Sequence, residues 1–354
     1  MFRMNKIYIN KREISDNKPP FIIGEISANH SGSIKKIFNI LEVAAEIGLD
    51  AIKIQTFDPN EMTLDFNKRE FIVKNKFSTK SWNNRSLYSI YKEAYLPFKW
   101  HKKIFLKAKS LGLTLFSSVF DEKSLDLLIK LNSPAYKIAS LESLHFPLIK
   151  KVIKTKRPLI ISTGTLNIDE IFELNKFLKF NKCKNFSLLH CVTQYPADFK
   201  NLNLKTIQSL KKKLKIPIGY SDHSRGISSA ISAVALGANI IEKHFKFSNK
   251  DKTLDSHFSL DPKEMKQLII GCKNAWISTG VSKNKICLDE KIYSSYRRSI
   301  YAYKDIKKGD KFSSNNIKVI RPNKGLPPKY LNKIIGKKSK KNIKFATPIT
   351  KELF

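Results

Sequence analysis

Two histidines stand where chemistry is most easily done. His223 and His244 each end a short apolar run, and one helix-length segment, residues 226–237, lies between the runs. This reads as strand, helix, strand, with an imidazole at the carboxyl end of each strand. Two neutral imidazoles on neighbouring strand tips can hold one divalent metal and leave its other positions open. The competing reading is a pair of structural histidines in turns. Other ionisable groups gather at similar positions. Lys53, Lys137, Ser118, Ser140 and Ser162 offer ammonium and hydroxyl donors, the equipment for a phosphate and an adjacent carboxylate. Glu25, Glu142 and Asp255 supply carboxylates for proton handling or for sugar hydroxyls. Gln55 and Tyr195 could orient a polyhydroxy substrate. A buried lysine is more often salt-bridged than functional. Strand caps alone, however, have no use for lysines at both 53 and 137.

These groups need a scaffold, and the alternation of apolar patterns supplies one. Strand-like runs are expected at residues 20–27, 50–57, 114–120, 135–142, 158–165 and 186–195, followed by the two runs that end in His223 and His244. Helical patterns separate them at 33–47, 99–112, 121–131, 146–155, 169–180, 204–214 and 226–237, and 262–278 closes the series. Ser33 is a natural N-cap for the first helix and Gly48 its stop. Eight alternating βα units predict a (β/α)8 TIM barrel, whose chemistry sits at the carboxyl ends of the strands. A doubly wound sheet is the alternative, but no Gly-x-Gly-x-x-Gly follows the first strand. The polar, aromatic insertion 58–97 is too long for a simple connector and predicts a functional loop with a short helix near 85–95. The expected organisation is a catalytic barrel at 1–278, a linker at 279–292 and a small β-rich domain at 293–354. The last contains a weak repeat, KDIKKGDKF (304–312) and KNIKFATPI (341–349).

Composition bounds the function. Hydrophobic residues make up 42% of 354, enough for a large core, with no apolar run long enough to span a membrane. The first twenty residues are polar and lysine-rich, without the apolar centre of a signal peptide. Cys183, Cys191, Cys272 and Cys287 have no CxxC or zinc-like spacing and read as reduced thiols, so a cytoplasmic protein is expected. Cys191 reads as a buried strand thiol. The formal charge of +36 leaves a non-catalytic, polyanion-binding protein as a rival reading. The excess is mostly lysine, spread along the whole chain, as in chains encoded by AT-rich genomes. No role for nucleic acid or membrane is therefore expected.

The motifs EISANHSGS (25–33), AIKIQTF (51–57), YKIASLE (136–142), ISTG (161–164), GYSDHS (219–224) and IEKHF (241–245) together resemble the sialic acid synthase family, in order and over nearly the whole chain. RRSIYA (297–302) and IRP (320–322) resemble its antifreeze-like (SAF) domain. SANHSGS, the KIASLE form of the fourth strand, and RSLYSIY (85–91) with PFKWH (97–101) in the insertion are similar to the family's pseudaminic acid branch. The resemblance implies condensation of phosphoenolpyruvate (PEP) with an open-chain N-acetylated amino sugar, releasing phosphate. For that branch the sugar would be 2,4-diacetamido-2,4,6-trideoxy-L-altrose. An N-acetylneuraminate or legionaminate synthase with the same chemistry is the alternative.

The resemblance also implies roles. Lys53, Ser118, Lys137, Ser140, Ser162, Thr193 and Ser221 would hold PEP, with Thr193 standing where the neuraminate branch has an asparagine. Gln55, Tyr195, Asp255 and Arg321 would face the sugar, and Glu25, Glu142, His223 and His244 would be catalytic. His223 and His244 would bind a divalent metal, Mn2+ being usual and Mg2+ or Co2+ the other candidates. Arg321 would come from the SAF domain of a partner in a domain-swapped homodimer. Val119 replaces a proline after the third strand, a change expected to affect only loop rigidity.

Overall fold

The computed structural model describes residues 6–74, 82–280 and 287–354. Parts of the expected insertion, linker and N-terminal segment (75–81, 281–286 and 1–5) lie outside them. The chain divides into two compact units, Met1–Gly280 and Val281–Phe354.

The first unit is a closed barrel of eight parallel strands: β3 (Phe21–Glu25), β4 (Ala51–Thr56), β5 (Thr114–Val119), β6 (Tyr136–Ile138), β7 (Leu159–Ser162), β8 (Phe186–Cys191), β9 (Ile218–Asp222) and β10 (Ile240–His244). β10 closes the ring by pairing with β3, His244 lying opposite Glu25. Before the barrel comes an antiparallel hairpin, β1 (Ile7–Ile9) and β2 (Arg12–Ile14), which the sequence reading missed. Its inward residues Ile7, Ile9 and Ile14 join Phe21, Ile23, Ala51, Phe116, Ala135, Ile160, Leu189 and Ile240 in one core inside the barrel. The hairpin therefore plugs the amino-terminal end, and the apolar filling leaves polar side chains to the other end.

Strand geometry sorts the rest. Side chains alternate between faces, so the outward residues of each strand (Ile52, Ile54, Leu115, Tyr136, Ile138, Ile161, Leu188, Ile218, Ile241) pack in a second, larger core beneath the helices. The helix Ile34–Ile47 shows how the ends are fixed. Ser33 Oγ accepts from Lys36 N–H, and Gly48, with φ of 82°, terminates the helix in the left-handed region.

Several expected boundaries shift. The strand expected at 135–142 ends at Ile138, and Ser140–Glu142 is a 3-10 turn. The strand expected at 186–195 ends at Cys191. The insertion's helix is Leu87–Ala94. The expected linker contains a helix, Leu288–Ser294. In both shifted strands the polar tail lies beyond the end of the sheet.

The second unit is less regular than a β-rich domain suggests. Among its described residues, one ladder pairs β11 (Ser299–Ala302) with β12 (Ile317–Ile320). Isolated bridges add to it, among them Ile306 to Ile343, which joins the two copies of the weak repeat. Ile300, Phe312, Ile317, Ile334 and Ile349 form its core. Among the described residues, no helix is long and apolar enough to cross a membrane.

Candidate active site

The inward positions at the carboxyl ends of the strands form one polar cup. Lys53, third in β4, donates to Ser118 Oγ at 2.9 Å and forms an ion pair with Glu25 Oε2. Lys137 in β6 donates to Ser162 Oγ at 2.6 Å. Between the lysines lies Glu242, its Oε1 3.8 Å from Lys53 Nζ and 3.6 Å from Lys137 Nζ, accepting a 2.9 Å bond from Ser221 Oγ. All four charges are at least 95% buried, and buried charges persist only when paired. Burial opposes ionisation of Glu242, but Lys137 and Lys53 outweigh it and hold the carboxyl below its ordinary range. Burial pushes Glu25 upward despite Lys53. Burial and the nearby Lys53 charge push Lys137 down, with Glu242 opposing.

A second cradle lies beside Lys137. Ser140 Oγ accepts from Gly164 N–H at 3.2 Å. Thr193 Oγ1 is buried without a hydrogen-bond partner. A Cβ on Gly164 would fall inside contact distance of Thr193 Oγ1 and 2.7 Å from Ser140 Oγ. Two hydroxyls and a backbone N–H thus converge where only a glycine fits.

The two histidines lie across the cup, ring centres 5.5 Å apart. His223 Nδ1 is 3.0 Å from Val192 O, which can only accept. That bond places the proton on Nδ1 and leaves the Nε2 lone pair uncommitted by it. His244 Nδ1 is buried with no hydrogen-bond partner; Asp255 Oδ2 is 3.7 Å away. Burial and the neighbouring His223 hold His244 far below the ordinary histidine range, in the neutral form that ligates metals. Two imidazoles with nitrogens to spare fit one divalent cation. Among the described residues no set of three or more His, Cys, Asp or Glu side chains is arranged to hold a metal, so this would be an open site, not a closed structural one.

Tyr195 lies against His223, ring centres 4.3 Å apart, and Trp82 and Phe258 pack against it at 5.7 and 5.5 Å. Gln55 follows Lys53 on the inward face and is half-buried. Asp255 caps the first loop by accepting from Ala28 N–H at 3.3 Å. Glu142 sits in the turn after β6 with Oε2 buried and unpartnered, and burial pushes its carboxyl up to about 7. Arg321 belongs to the second unit, exposed, directly after β12.

Sequence reasoning missed Glu242, although it stands two residues before His244 and so shares its face. Cys191 is buried as expected, but it faces inward, its Sγ 3.8 Å from His223 Nδ1. The polar neighbours Asp222 and Lys243 point outward. His30, His101 and His190 bond to backbone carbonyls at 3.2, 3.2 and 2.6 Å and read as structural.

A closed parallel barrel with paired lysines, convergent hydroxyls and two unspent imidazoles at its carboxyl mouth defines a TIM-barrel enzyme site for a small, anionic substrate. The comparisons narrow this. Residues 40–284 match the NeuB family and residues 297–354 match the SAF domain. A pseudaminic acid synthase of Campylobacter jejuni is 40% identical over 93% of this chain and 95% of its own. An N,N'-diacetyllegionaminic acid synthase of the same species is 37% identical over 92% and 98%. The crystal structure of an N-acetylneuraminic acid synthetase from Leptospira borgpetersenii, in complex with citrate, superposes with a TM-score of 0.73 at 29% identity, over 83% of this chain and 96% of that one. The chain belongs to the NeuB family and carries a SAF domain.

Proposed function

We propose that this chain condenses PEP with 2,4-diacetamido-2,4,6-trideoxy-L-altrose and water, giving pseudaminic acid and phosphate. The observation that carries the reading is the pair of buried lysine–hydroxyl units, Lys53–Ser118 and Lys137–Ser162, sharing Glu242 beside His223 and His244. With its phosphate and carboxylate, PEP replaces Glu25 and Glu242 as partner of the lysines. Ser140, Thr193 and Ser221 supply hydroxyls to the same anions. Gln55, Tyr195 and Asp255 face the sugar, and Arg321 reaches it from the SAF domain of a partner in a domain-swapped homodimer.

The residues then divide the proton work. C3 of PEP bonds to the aldehyde carbon of the open-chain sugar, leaving positive charge at C2. Glu142, half protonated near pH 7, gives its proton to the former aldehyde oxygen. Water adds to C2 and loses its proton to Glu25, whose Oε2 is freed when PEP takes Lys53. The C2 hydroxyl then gives its proton to the departing phosphate as the bond from C2 to the phosphorus-bearing oxygen breaks, leaving a C2 carbonyl and free hydrogen phosphate. His223 and His244 would hold the divalent cation, Mn2+ with Mg2+ or Co2+ as substitutes. When bound, it supplies a Lewis acid for the aldehyde oxygen. Chelation should abolish turnover and Mn2+ restore it; full turnover in chelator would contradict the metal's role.

The free cysteines and the phosphorylated substrate suit a cytoplasmic enzyme. A second reading is legionaminic acid synthesis, favoured by the 37% identical relative. A coupled phosphate-release assay that offers each sugar separately decides between them. Turnover of the altrose sugar alone is expected. Turnover of a mannose-configured sugar without it would overturn the assignment.

A further inference from the structure

One fully buried ion pair lies outside the cup, on the far side of the strands that carry the two imidazoles. Asp222 and Lys243 are opposite one another in the β9–β10 ladder and both point outward, with side chains wholly inaccessible. Lys243 Nζ donates to Asp222 Oδ2 at 2.8 Å and to the Ser224 carbonyl. Asp222 Oδ1 accepts from Ser224 N–H at 2.8 Å, Ser224 Oγ at 2.7 Å and Tyr220 OH at 3.2 Å. Its Oδ2 also accepts from Ser229 Oγ at 2.7 Å, in the first turn of the helix Ser228–Ala235. Neither charge faces a substrate, and packed apolar residues would satisfy the same volume with no desolvation.

The network's position gives it a purpose. His223 is the residue between Asp222 and Ser224, so both of its chain neighbours are tied into the network. Lys243 is the residue before His244. A single ion pair therefore fixes the backbone beside both imidazoles and ties the two strand tips to the helix that follows. We propose that Asp222 and Lys243 are positioning residues that set the spacing and aim of His223 and His244 for a divalent cation. This rests on the metal reading above. Groups that orient metal ligands usually contribute 10- to 100-fold to metal affinity, and these do so through the backbone.

The test is Mn2+ titration of metal-free protein, following free Mn2+ by electron paramagnetic resonance, with unfolding midpoints measured in parallel. Asp222→Asn combined with Lys243→Met removes both charges without leaving either buried alone. Ser229→Ala removes the hydroxyl that bonds Asp222 Oδ2 at 2.7 Å and Ser224 Oγ at 2.6 Å, and Ser187→Ala removes a buried bond to Pro217 O at the opposite end of the barrel. The double variant should bind Mn2+ about 10- to 100-fold more weakly, Ser229→Ala should weaken it by a smaller factor, and Ser187→Ala should leave it unchanged at a similar loss of stability. Wild-type Mn2+ affinity in both network variants would overturn the proposal, leaving the pair as packing. Should the double variant not fold, Ser229→Ala against Ser187→Ala decides alone. If the wild type itself binds no Mn2+, or His223→Ala leaves its binding intact, the metal reading fails first and the proposal with it.

Discussion

Glu142 offers a measurable conflict between stability and function. Its carboxyl is buried, its Oε2 has no partner, and burial lifts it from an ordinary 4.5 to about 7. The folded chain therefore holds a proton that the unfolded chain releases between these values. The stability associated with that proton is complete below pH 4.5 and is lost as pH rises to 7. Above pH 7 the buried carboxylate is a net penalty. At about 1.4 kcal/mol per tenfold change in proton affinity, the penalty approaches about 3 kcal/mol. Glu142→Gln keeps the size and removes the titration. In urea unfolding followed at pH 4.5, 6 and 8, the variant should match the wild type at the lowest pH and exceed it by up to about 3 kcal/mol at the highest. Its kcat should fall, because the amide has no proton to give. A stability difference that stays constant over this range would refute the burial argument. A variant with unchanged kcat would remove Glu142 from the proton chemistry.

Other perturbations test the lysine cup. Lys137→Met leaves Glu242 with Lys53 alone and should destabilise the barrel by about 3–5 kcal/mol, with KM for PEP raised at least about tenfold through loss of a charge-assisted bond. Adding Glu242→Gln should restore much of the stability but not the KM, as urea unfolding and steady-state kinetics would reveal. Gly164→Ala drives a methyl into Ser140 Oγ and Thr193 Oγ1. It should raise KM for PEP and lower stability by about 1–3 kcal/mol; an unchanged KM would place the PEP anions elsewhere.

Much of this protein is legible in its sequence because strand parity is local. Eight apolar runs separated by helical stripes dictate a barrel, and residues two apart on one strand share a face. Lys53 with Gln55 and His244 with Glu242 follow from that rule. Local patterns also give Ser33 and Gly48 at the helix ends. The hairpin that plugs the barrel was obscured by the lysines around Ile7, Ile9 and Ile14, whose apolar face exists only once the ring has closed over it.

Only the tertiary structure decided which charges meet. Lys53, Lys137 and Glu242 lie on strands far apart in sequence, and barrel closure brings β10 beside β3 and so Glu242 between the lysines. The sequence determined that imidazoles, ammonium groups and carboxylates would end the strands. Parity alone turns Asp222 and Lys243 away from the cup, because each adjoins an inward imidazole. That the two meet depends on β9 pairing with β10, which sets them opposite one another and lets them spend their charges on each other behind the wall.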